Sequence, residues 1–159
     1  MNKTMAKKIM NDEDLKTANI LVVDDNEQNL ELIQAYLEDL KCNSIPARDG
    51  ISAIELIKES KPDLVLLDVM MPRMSGFEVC RRLKSNPETA DLPVIMVTAL
   101  NEMGDIERAI ESGTDDFLSK PVNKLELLTR VKTMLKLKHL SDKLERTLAY
   151  LSELEKHAS

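Results

Sequence analysis

The sequence predicts an α/β fold in which one parallel sheet carries helices on both faces. Short apolar runs alternate five times with stretches of helical periodicity, the pattern of repeated strand–helix units. The central runs are apolar at every position, which suits strands buried on both sides. The runs end on polar or charged residues, and in open sheets of this kind such residues gather at one rim, where ligands bind.

Residues 1–17 are polar and aperiodic and read as a flexible N-terminal tail. Ile20-Leu21-Val22-Val23 is the first strand, ended by Asp24-Asp25, and Asn26 then caps a helix with Leu30, Ile33, Leu37 and Leu40 at helical spacing. Ser44 to Ala47 is a weak strand whose Pro46 suits an edge position. Ala53, Ile54 and Ile57 mark the second helix, which stops before Pro62. Leu64 to Leu67 is a fully apolar strand ended by Asp68. A loop with Pro72 and Gly76 leads into a third helix, with Phe77, Cys80 and Leu83 along one side. Val94 to Val97 is the fourth strand, ended by Thr98, and Ile106, Ala109 and Ile110 give a fourth helix closed by Gly113. Asp116 to Ser119 is the last strand, ended by Lys120-Pro121, and Leu128, Val131 and Leu135 would pack a fifth helix onto the sheet.

With 159 residues, 43% of them apolar, the chain suits one compact domain with a modest appendage. Only 3% are aromatic and none is Trp, so aliphatic side chains must fill the core. The net charge, 22 − 28 = −6, argues against a general nucleic-acid binder. Cys42 and Cys80 are too few and too far apart for a disulfide scaffold or metal site and read as reduced thiols. The opening residues lack a signal-peptide pattern and no apolar run reaches membrane-spanning length, so a soluble, cytoplasmic protein without membrane contact is expected.

Asp24, Asp25, Asp68, Thr98 and Lys120 each fall at or just after a strand's end and so meet at one rim. Carboxylates brought together at neutral pH need a cation, and an all-oxygen site with room for water suits Mg2+. A divalent ion has no need of a lysine, whereas an incoming anion does, and the Thr98 hydroxyl can hydrogen-bond such an anion. Metal, lysine, hydroxyl and a carboxylate nucleophile are the parts needed to position a phosphoryl group. Singly, each residue has a plain structural role, such as helix cap or solvated surface; their joint placement is what points to chemistry.

Asp24-Asp25 after ILVV, then LLDVMMPRMSGFEVC, VTAL and DDFLSKP, in that order, resemble the bacterial response-regulator receiver domain over about Ala18 to Leu137. The resemblance implies a flavodoxin-like (βα)5 fold, a doubly wound five-stranded sheet in the order 2-1-3-4-5. It implies phosphorylation of Asp68 by a sensor histidine kinase or phosphotransfer protein. Asp25, Asp68 and the backbone carbonyl of Met70 would ligate Mg2+ (or Mn2+), with Asp24 acting through water. Lys120, Thr98 and the amide of Ala99 would hold the phosphate, and Phe117 takes the aromatic switch position, its plain alternative being a core residue. The receiver most resembles those at the front of multidomain regulators that make or break cyclic dinucleotides, so the chain is a stand-alone relative or a stretch of a longer one. LVLLD also resembles a Walker B strand, but GxxxxGK[ST] is absent from the sequence. A haloacid-dehalogenase-type phosphatase would carry a second acid where Met70 stands.

Residues 18–137 are therefore expected to form the receiver, and 138–159 a helical extension. Leu137, Leu140, Leu144, Leu151 and Leu154 fall at a and d positions, with Thr147 at the remaining d. Such a seam can pair two chains as a coiled coil, connect to a downstream output, or remain an isolated amphipathic tail. The expected function is phosphorelay signalling with self-catalysed phosphotransfer only and no external metabolite turned over. The competing possibility is a pseudo-receiver acting as a constitutive interaction module, against which Asp68, Lys120 and Thr98 all speak.

Overall fold

The computed structural model describes residues 11–99 and 103–158, the side chains of Asp12, Glu13 and Met103 apart. Its strands are Asn19–Val23 (β1), Asn43–Ala47 (β2), Leu64–Asp68 (β3), Val94–Thr98 (β4) and Asp116–Ser119 (β5). All neighbours pair in parallel, in the order β2-β1-β3-β4-β5. This is the doubly wound, flavodoxin-like sheet, with the Pro46-bearing β2 at an edge, where a missing donor costs no ladder bond.

Strand pleating sorts the apolar runs into two layers. Ile20, Val22, Leu64, Leu66, Ile95 and Val97 join one core with helices α1 (Glu27–Leu37) and α5 (Lys124–Ala158). Leu21, Val23, Val65, Leu67, Val94 and Met96 join the other, with α2 (Gly50–Ser60), α3 (Gly76–Ser85) and α4 (Met103–Glu111). Each such aliphatic side chain, withdrawn from water, contributes roughly 1.5–3 kcal/mol.

Short polar side chains start the helices. Asn26 accepts the N–H of Asn29 at 3.0 Å, Asp49 that of Ser52 at 2.7 Å and Ser75 that of Glu78 at 3.3 Å. Gly113, at φ 90°, closes the turn after α4 in the left-handed region.

One expectation needs correction, and the packing of two helices is more particular than their periodicity. Of the expected loose tail, residues 1–10 lie outside the described residues, but Asp12–Leu15 forms a helical turn and Leu15 is buried at 1% exposure in the α1–α5 layer. A lone leucine in a polar stretch carries no period, yet it still has a full side chain to bury. In α4 the buried residue is Ala109, while Ile110 is 64% exposed. In α5 the residues facing the sheet are Leu127, Val131 and Leu135, spaced by four, and Leu128 packs only at their margin. Among the described residues no helix is long and apolar enough to cross a membrane.

Candidate functional site

Parallel pairing brings the carboxyl ends of β1, β3, β4 and β5 level. Val23 pairs with Leu67, Asp68 with Val97, and Thr98 with Ser119. Asp24 and Lys120 are the next residues beyond β1 and β5. Both are tied by backbone bonds: the Asp24 N–H donates to the Ala47 carbonyl at 3.1 Å, and the Lys120 N–H to the Thr98 carbonyl at 3.1 Å.

One carboxylate oxygen from each of Asp24, Asp25 and Asp68 lies within 4.8 Å of the others. Asp24 and Asp68 are buried, at 1% and 3% exposure, while Asp25 is open to solvent. The Lys120 ammonium reaches both buried acids, donating to Asp24 Oδ2 at 3.0 Å and lying 3.3 Å from Asp68 Oδ1. Asp24 Oδ1 accepts the Asn26 N–H at 2.9 Å, and Asp68 Oδ1 accepts the Met70 N–H at 3.3 Å.

Three carboxylates against one ammonium leave a negative excess, and burial makes it costly. Burial pushes the Asp68 pKa up to about 6, the neighbouring Asp24 charge adds to the rise, and Lys120 and the Met70 N–H oppose it. For Lys120, burial disfavours the ammonium, but the hydrogen bond to Asp24 and the charges of Asp68 and Asp24 outweigh it and raise its pKa. The donor set, all oxygen and open on the Asp25 side, fits a hard divalent cation.

Thr98 is buried at the end of β4, and Ala99 stands exposed just after it. Met70 is 73% exposed beside the acids. Phe117 pairs with Met96 across the sheet and is half-buried against the α2–α4 layer. The fold therefore gathers Asp24, Asp25, Asp68 and Lys120 into one cluster, with Thr98 on the adjoining strand. The leucines lie instead on the extension of α5, beyond its last buried residue, Leu135.

Some contributors were not legible as site residues. Gly76 packs against the backbone of Asp68: its N–H donates to the Val69 carbonyl at 2.9 Å, and a Cβ there would lie 2.3 Å from the Asp68 carbonyl oxygen. Its signal was only a glycine at the start of a helix after the Asp68 loop. Arg130 of α5 donates to both carboxylate oxygens of Asp116, the residue before Phe117, at 3.2 and 3.0 Å. Leu148, 56% exposed, belongs to the apolar surface of the extension but falls off the a and d spacing.

An acidic cluster with one lysine at the carboxyl rim of a doubly wound sheet has the donors to fit a hard cation and a positive group that an anion could meet. The family model of the response regulator receiver domain matches residues 20–132, and the chain belongs to that family. It is 43% identical over 130 residues to the response regulator PleD of Caulobacter vibrioides, covering 82% of this chain but only 29% of PleD. With the polar-differentiation response regulator DivK of Brucella ovis it shares 36% identity over 119 residues, covering 75% of this chain and 97% of DivK. Among solved structures it resembles the receiver domain of a Pseudomonas aeruginosa sensor histidine kinase with a magnesium ion coordinated in the active site cleft. That match has 28% identity and a TM-score of 0.70 and covers 75% of this chain and 98% of the other. The protein is thus a two-component receiver, a phosphorylation-based signalling domain.

Proposed function

We propose that the chain accepts a phosphoryl group on Asp68 in a Mg2+-dependent transfer from the phosphohistidine of a sensor kinase or phosphotransfer protein. The observation that carries this is Lys120 poised 3.3 Å from a buried Asp68 inside a three-carboxylate cluster. A carboxylate oxygen of Asp68 attacks phosphorus; the P–O bond forms as the P–N bond to the donor imidazole breaks, and the imidazole leaves with the bonding pair. Asp25, Asp68 and the Met70 carbonyl would hold the ion, with Asp24 through water. Bound Mg2+ (or Mn2+) would offset the acids' charge and that of the transferring group. Lys120 holds the phosphoryl oxygens, joined by the Thr98 hydroxyl and the Ala99 amide.

We propose further that the output is built on the same site. Thr98 drawn toward the phosphate frees space for Phe117, which shares β5 with the Arg130-bound Asp116. The change reaches α5, whose exposed leucines pair two copies or meet a downstream output. A cytoplasmic location agrees with such a partner. Intact mass after acetyl phosphate treatment tests the transfer: one added phosphoryl group with Mg2+ and none with EDTA is expected, and no gain in either condition defeats the proposal.

A further inference from the structure

Helix α4 is held to the domain more lightly than its neighbour α3. Along α3, Gly76, Phe77, Val79, Cys80 and Leu83 are all buried. Among the described residues of α4 only Ala109 is buried, and one methyl group withdraws little apolar surface from water. An element with so few buried contacts is the one a small force can displace. It is also the element that follows the phosphate-facing end of β4: that strand ends at Thr98, and α4 begins at Met103.

One side chain supplements that weak anchor. The Arg108 guanidinium lies 4.3 Å from the centroid of the Phe77 ring, over its face, in cation–π contact. Arg108 is exposed while Phe77 is only 3% exposed, so the guanidinium and its stem cover the ring. Among the described residues no carboxylate pairs with Arg108 to draw it elsewhere. Phe77 in turn follows Gly76, which packs against the backbone of Asp68 and bonds the Val69 carbonyl. Arg108 thus spans from the helix behind Thr98 to the loop behind Asp68.

We infer that Arg108 is a positioning residue: stacked on Phe77, it latches α4 in the resting arrangement and restrains the approach of Thr98 to the phosphoryl group. This rests on the phosphoacceptor reading above. In the structure Lys120 donates to Asp24 and lies against Asp68, contacts for which a phosphoryl group would compete, so the latch is closed in the resting state. Drawing Thr98 and the Ala99 amide onto phosphoryl oxygens pulls on the start of α4 and lifts the guanidinium from the ring. The contact therefore opposes the modified state by as much as it holds the resting one. An exposed cation–π contact of about 0.5–1 kcal/mol converts to about two- to fivefold in affinity.

Beryllofluoride, standing in for the phosphoryl group on Asp68, tests this by calorimetric titration into the full chain at saturating Mg2+. Arg108→Met keeps an apolar stem over the ring and removes the charge. It should bind beryllofluoride about two- to fivefold more tightly than wild type and react correspondingly faster with acetyl phosphate. Arg108→Lys, which returns a cation to the ring, should bring both values back towards wild type. Phe77→Leu should give the same gain as Arg108→Met, and the double variant no more than either. A purely structural contact would lower unfolding free energy and leave the affinity unchanged or weaker; that result in Arg108→Met overturns the latch. Equal gains in Arg108→Met and Arg108→Lys overturn the cation as its cause, and additive gains in the double variant overturn Phe77 as its partner. Intact mass separates the two levels. A wild type that gains no phosphoryl group with Mg2+ overturns the phosphoacceptor reading itself, whereas one that gains it beside an unaltered Arg108→Met overturns the latch alone.

Discussion

Lys120 donates to Asp24 at 3.0 Å although 96 residues separate them. The contact joins the ends of β1 and β5 and supplies the one ammonium found, among the described residues, in contact with the buried acids. Removing it leaves Asp24 and Asp68 facing each other uncompensated. Lys120→Ala should therefore destabilise the metal-free protein by about 1–3 kcal/mol, a partly exposed lysine contributing less than a fully buried one. Mg2+ should restore most of that loss by replacing the counter-charge. Urea unfolding with EDTA and with Mg2+ measures both; an equal loss in the two conditions contradicts this reading.

The raised pKa of Asp68 makes a signed claim about stability. The folded state holds the proton up to about pH 6, and the unfolded chain releases it near 3.8. The folded protein thus binds more protons between those values, so this group's destabilising effect is complete above pH 6 and vanishes below 3.8. Asp68→Asn should stabilise the metal-free protein by roughly 1–3 kcal/mol at pH 8. The gain should shrink to nothing as the pH falls towards 4. A gain that is flat across the range, or a loss at pH 8, refutes the assigned cause.

Asp25→Ala should cost more Mg2+ affinity than Asp24→Ala. Asp24 already spends its two oxygens on Asn26 and Lys120, whereas Asp25 opens to solvent beside the other acids. Calorimetric Mg2+ titration of the two variants ranks them, and equal or reversed losses oppose the ranking.

Gly76→Ala should disturb the backbone at Asp68 without touching a charge. The added Cβ would meet the Asp68 carbonyl oxygen at 2.3 Å and Val69 Cα at 2.8 Å, backbone atoms that cannot swing aside. Overpacking of this kind costs about 1–3 kcal/mol. A matching drop in unfolding free energy, with slower phosphorylation, is expected; wild-type values for both speak against the contact.

The sheet and the acid–lysine cluster were legible because their signals are local. β1, β3 and β4 are apolar at each position but one, and each run gives way at its carboxyl end to an acid or a hydroxyl: Asp24 after β1, Asp68 and Thr98 as the last residues of β3 and β4. What remained hidden depends on neighbours through space. Leu15 has no period around it, and adjacent Leu127 and Leu128 fit a helical stripe almost equally until packing chooses. The Gly76 contact joins a loop to the backbone of a strand end, which no spacing encodes. Leu148 is exposed with the other leucines of the extension but stands off their a and d spacing.

The most direct measurement locates the phosphoryl group. The chain is treated with acetyl phosphate and Mg2+, reduced with borohydride, which converts an aspartyl phosphate to homoserine, and mapped by peptide mass spectrometry. Homoserine at position 68 alone, lost in Asp68→Asn and in EDTA, is the expected result. A reduced residue elsewhere, with position 68 unmodified, contradicts the account.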